Sequence, residues 1–138
     1  MFNNVRDARK NFFVTYEKMQ QGGALTDLEK QLAELIAMHP EYNKYFSDEK
    51  YLDYSFDPRL ETANPFMHIS MHQAVREQLS TDRPQGIVAI FADLIAKFGD
   101  AHEVEHRIAE QLAQMMHDIM QNGQPYEDSE YLRRLKKL

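Results

Sequence analysis

The sequence predicts an all-α protein, a single-domain helical bundle of about five to six helices with a four-helix core, spanning residues 1–138. Three observations predict it. Apolar residues recur at spacings of three and four, as in Leu25, Leu28, Leu32, Leu35 and Ile36, and again in Ile87, Ile90, Phe91, Leu94, Ile95 and Phe98. No segment alternates apolar and polar residues for long enough to form a strand. Gly22-Gly23, Pro40, Pro58, Pro65, Pro84, Gly99, Gly123 and Pro125 cut the chain into pieces of helical length.

The elements follow in order. Helices are expected near 3–20, 25–39, 64–80, 84–98 and 101–122, with a short one near 127–136. Thr26 or Asp27 can cap the second, Thr81 or Asp82 precedes Pro84 ahead of the fourth, and Asp100 can cap the fifth. Gly99 and Gly123 stand just past helix ends, where a left-handed residue closes the last turn. The stretch from Pro40 to Asn64 carries several tyrosines and acids without a sustained period and reads as a loop with one short helix.

Composition narrows the chemistry. With 138 residues the chain can bury one ordinary core. There is no cysteine, so disulfides, thiolate metal sites and a cysteine nucleophile are excluded, and any metal must be held by nitrogen and oxygen. A formal charge of -6, with a basic cluster only at "RRLKK", argues against nucleic acid as a partner. The longest apolar runs are too short to span a membrane, and "MFNNVRDARKNFF" lacks the apolar segment of a signal peptide, so a cytoplasmic protein is expected. The eight methionines include 67, 71, 115, 116 and 120, which read as core filling.

Function is sought among the six histidines. The stretch "HEVEH", residues 102–106, fits both H-E-x-x-H and its inverse, H-x-x-E-H. At about 100° per residue, Ile108, Ala109, Leu112, Met116, Ile119 and Met120 form one face of the fifth helix. His102 and His106 lie at its edge, Glu103 points to water, and Glu105 projects near the middle of the apolar arc. A carboxylate there needs a partner, either a metal site or an arginine such as Arg76. "PFMHISMHQAVREQ" repeats the arrangement, with His68 and His72 flanking a face of Met71, Val75 and Leu79. His39 ends the stripe of Leu28, Leu32 and Leu35. His117, eleven residues beyond His106 and some 16 Å along the axis at ~1.5 Å per residue, is too far to share a site with it.

This inventory points to a transition metal, iron or zinc, held by His68, His72, His102 and His106, with Glu105 as ligand or supporting acceptor and His39 as a further ligand. Five histidines and a carboxylate on three helices resemble the class of site found in hemerythrins, which implies di-iron chemistry with dioxygen, peroxide or nitric oxide as ligand. The motifs differ. That family pairs His-x-x-x-Glu where this chain has His68-x-x-x-His72, and its final His-Asp has no counterpart here unless His117-Asp118 supplies it.

A second resemblance runs over nearly the whole chain. "RDARKNFF", "HPEY" (39–42), "NPFMHISMHQAVREQ" (64–78), "DRPQGI" (82–87), "HEVEH" and "EYLRRL" are similar to the motifs of a proteobacterial family of small proteins of unknown function. The resemblance implies a one-domain bacterial protein whose pattern includes His68, His72, His102 and His106. It implies no reaction. Two rivals to a metal-binding bundle remain. One is a metal-free protein–protein interaction module with a hydrogen-bonded His/Glu core. The other is an H-E-x-x-H zinc hydrolase, which needs Glu103 beside the metal and a strand along the cleft. A homodimer is compatible with each of these readings.

Overall fold

A computed structural model describes residues 4–57 and 64–138. Every regular element among these residues is helical: α1 (Asn4–Gln21), α2 (Asp27–Ala37), α3 (Pro65–Thr81), α4 (Ile87–Phe98), α5 (Ala101–Asn122) and α6 (Asp128–Lys136), with two 3-10 helices at Pro40–Phe46 and Glu49–Leu52. The chain divides into two compact units, Met1–Ile69 and Ser70–Leu138, the boundary falling within α3. The expected helices are present, their ends displaced by up to three residues. Residue 3 and Pro58 lie outside the described residues.

In the first unit, α1 buries Arg9, Phe12 and Thr15, which recur every third residue and so share one side of the helix. Phe12 packs with Leu32, Leu35, Ile36, Phe46, Phe66 and Ile69. Thr26 starts α2 with a reciprocal capping box: its side chain accepts the Glu29 N–H at 3.2 Å, and Glu29 accepts the Thr26 N–H at 2.9 Å. Glu29 also receives Lys18 from α1 at 2.9 Å. Pro40 cannot continue α2, and the chain enters the 3-10 turns that bury Phe46 and Leu52. Pro65 opens α3 at a position where its missing N–H costs nothing. Asn64 accepts the Met67 N–H at 3.1 Å and satisfies one of the amides left over in that first turn.

In the second unit, Val75 of α3, Ile87, Ile90 and Leu94 of α4, Val104, Ile108, Ala109, Leu112 and Met115 of α5, and Tyr131 and Leu135 of α6 form one core. The fourth helix begins at Ile87, three residues later than Pro84. Asp82 turns the chain with φ of 50°, and its carboxylate accepts the N–H groups of Gly86 and Val88 at 3.2 and 3.1 Å. Asp100 caps α5 by accepting the His102 N–H at 3.0 Å, and Gly99 ends α4 at φ of 82°. Tyr131, fully buried, donates its hydroxyl to Gln78 at 2.7 Å, and Arg134 ties α6 to Asp118 of α5 at 2.9 Å.

Several apolar residues depart from their expected place. Leu28 is 75 % exposed, and Met67, Met116 and Met120 are exposed as well. Leu28 sits in the first turn of α2, and Met116 and Met120 in the last two turns of α5, where helical phase continues but neighbouring helices do not cover that side. The buried face of α5 is centred on Val104, Glu105, Ile108 and Leu112, with Met115 in place of Met116. Of the five methionines read as core, only Met115 is fully enclosed and Met71 is partly so.

Candidate metal centre

His39 lies two residues past the end of α2 rather than within it, at the N-cap of the first 3-10 helix, and is 5 % exposed. Its Nδ1–H donates to the Leu35 carbonyl at 2.8 Å, which leaves the lone pair on Nε2. The ring packs edge-on against His68, with centroids 5.0 Å apart and planes at 77°, and lies flat on Tyr42 at 5.4 Å. Tyr42 also meets the His68 ring edge-on at 5.8 Å. Sequence reasoning missed Tyr42; its signal was the i+3 spacing from His39 within "HPEY".

His68 and His72 are one turn apart on α3, on the same side of the helix. Both are buried outright, where phase had put them beside the apolar face, and the buried Ile69 and Val75 lie within about a quarter turn of them around the helix.

In the second unit His72, wholly buried, donates Nδ1–H to Glu105 Oε1 at 2.9 Å, so its lone pair too is on Nε2. The same oxygen accepts Arg76 Nε–H at 3.0 Å. Glu105 is 9 % exposed, as its place on the helix required. Burial pushes its pKa up, but the hydrogen bonds from His72 and Arg76 and the charge of Arg76 outweigh burial and hold it below the ordinary carboxylate value. Of the two partners expected for Glu105, a metal site or an arginine such as Arg76, the arginine is present, and His72 is a further one.

His102 lies flat beside His72, with centroids 6.1 Å apart and planes at 8°, while His106 is 5.4 Å from His72 and tilted by 45°. His106 Nε2 bonds Glu110 at 2.9 Å. Glu103 is on the wet side, paired with Arg107 at 2.9 Å. A zincin base would have to face the metal, and no strand occurs among the described residues.

Taken stepwise, His39 neighbours His68 within the first unit, His68 and His72 share a turn of one continuous helix, and His72 neighbours His106 within the second. Among the described residues, the group of candidate metal ligands is His39 and His68 in the first unit and His72 and His106 in the second. His102, Glu105 and His117 fall outside that group.

No helix among the described residues is long and apolar enough to cross a membrane. No curated protein and no solved structure matches the chain. One family does, over residues 4–137, which takes in every helix and all six histidines. The chain belongs to the family described as domain of unknown function (DUF1841).

Proposed function

We propose that this protein binds one transition metal ion, zinc or iron, through the imidazoles of His39, His68, His72 and His106. The observation that carries the reading is the preset state of the two innermost rings. His39 and His72 each spend Nδ1–H on an acceptor, the Leu35 carbonyl and the Glu105 carboxylate, and so carry the lone pair on Nε2. A ligating imidazole is held in this way by a carbonyl or carboxylate behind it, which fixes its tautomer and raises its basicity. His106 has the mirror arrangement, with Glu110 on Nε2 and the lone pair on Nδ1.

Glu105 serves in this account as the outer support of His72, with Arg76 fixing the carboxylate in turn. His102 is the packing neighbour of the His72 ring. Nitrogen donors alone suit zinc or iron(II), whereas a hemerythrin-like pair of irons would need carboxylates between the ions. The buried Glu105 is engaged by His72 and Arg76, which favours a single ion. Dioxygen, peroxide or nitric oxide would enter only with iron bound. A metal-free interaction module is the rival, and metal analysis separates the two. Protein purified without a histidine tag carries close to one zinc or iron per chain, and a chelator lowers its melting temperature. Absence of metal, together with no thermal shift on adding Zn(II) or Fe(II), refutes the proposal.

A further inference from the structure

Arg9 is buried in the first unit, 7 % exposed, and takes no part in the histidine cluster. Its Nη1 donates to three backbone carbonyls, those of Tyr51 at 2.9 Å, Leu52 at 3.3 Å and Tyr54 at 2.8 Å. Its guanidinium carbon lies 4.9 Å from the centre of the Phe66 ring and 5.3 Å from that of Phe56. One end of the fork is thus anchored and aromatic rings flank the group. The N–H groups of Nε and Nη2 have no protein acceptor among the described residues. Arg9 lines a cleft of about 370 Å³ with Val5, Asp53, Ser55, Phe56 and Asn64.

The chemistry of the wall indicates what it takes. A guanidinium edge with no protein acceptor that opens on a cleft presents two parallel donors, and its planar geometry matches two oxygens on one atom. Asn64 uses its carbonyl oxygen to cap α3, which leaves its amide N–H groups as donors, and the Ser55 hydroxyl is a further donor. Asp53 lines the same cleft but is paired with Arg6, so the net local charge of these three side chains is that of Arg9 alone. A single negative charge balances it, while a phosphate dianion meets the Asp53 carboxylate. Val5 and Phe56 supply apolar wall for a short carbon chain.

We propose that this cleft binds a small organic monocarboxylate, its two oxygens on the Nε–Nη2 edge of Arg9 with Asn64 and Ser55 as flanking donors. The site is independent of the metal centre. The test is a titration of the full-length ¹⁵N-labelled protein with acetate, butyrate and inorganic phosphate at constant ionic strength, following the Arg9 Nε–H resonance. A saturable shift is expected, with butyrate tighter than acetate and phosphate weakest. Arg9→Lys keeps the charge but loses the fork and weakens butyrate by at least about tenfold. Ser55→Glu sets a competing carboxylate at the exposed rim while leaving the three carbonyl bonds intact. It gives a similar loss with an unchanged melting temperature, and so decides the matter even if Arg9→Lys fails to fold. An Arg9 signal unmoved by either carboxylate, phosphate binding tighter than butyrate, or Ser55→Glu titrating like the wild type overturns the proposal.

Discussion

Replacing Glu105 with Gln removes one negative charge from a buried position at nearly constant shape. In the native protein a single oxygen, Oε1, accepts from His72 Nδ1 at 2.9 Å and Arg76 Nε at 3.0 Å. Hydrogen bonds to a charged group contribute ~1.5–3 kcal/mol each, and neutral ones roughly half as much. The amide oxygen can still accept, so the loss is that of charge assistance on both bonds. It is reduced because the Arg76 side chain is 29 % exposed and partly solvated. About 1–2 kcal/mol of apo-protein stability should disappear, or ~3–8 °C in melting temperature for a chain of this length. Metal affinity should fall by about 10–100-fold, because the His72 ring loses its carboxylate support. The pH dependence has a definite sign. The Glu105 pKa is lower in the folded protein than in the unfolded chain, so its contribution is full above the unfolded value and is lost as pH falls through the folded one. Glu105→Gln should therefore flatten the acid limb of stability. Urea unfolding in chelator at several pH values and a competitive zinc titration measure both quantities. Wild-type affinity together with wild-type stability would refute the assignment of Glu105 as the support of His72.

Further outcomes follow from the same structure. Only a neutral imidazole offers a lone pair, so metal affinity should fall as the solution is acidified; a binding curve flat from about pH 7.5 to 5.5 contradicts imidazole ligation. Tyr131→Phe deletes the hydroxyl bonded to Gln78 inside the second unit and should cost about 1 kcal/mol by urea unfolding with no change in zinc affinity. Thr26→Ala breaks the capping box of α2 and should cost about 1 kcal/mol, read as a lower urea midpoint at constant slope. Met120→Lys, at a position 80 % exposed, should change stability by no more than about 0.5 kcal/mol, and a larger loss would show that Met120 is covered in solution.

Helix positions were legible because their boundaries are written in local chemistry. Thr26, Asp100, Gly99 and Gly123 each do at a helix end what their side chains or lack of one allow. Phase correctly placed Glu105 inside and Glu103 outside, since both lie within the stretch of α5 that its neighbours cover. It failed for Leu28, Met116 and Met120, because periodicity identifies a side of a helix but not how far the packing partner extends along it. The aromatic turns from Pro40 to Phe56 were opaque for another reason. Their order comes from contacts among Tyr42, Tyr45, Tyr51, Tyr54 and Phe56 and from the Arg9 clasp, none of which leaves a period. Arg9 had a signal, its place on the stripe with Phe12 and Thr15, but a lone arginine on such a stripe does not reveal the carbonyls it meets. The candidate ligands were visible as two i,i+4 pairs and His39, while the contacts behind them, Leu35 and Glu110, depend on which ring nitrogen faces away.

X-ray absorption at the metal edge of the loaded, tag-free protein tests the central claim most directly. One ion per chain is predicted, with a first shell of about four light donors near 2.0–2.1 Å if zinc is bound, and with the outer-shell scattering of imidazole rings. His72→Ala should remove one imidazole from that shell or abolish binding. A shell of oxygens without imidazole scattering, a second metal at about 3.5–4 Å, or a spectrum unchanged in His72→Ala would contradict a single ion held by these histidines.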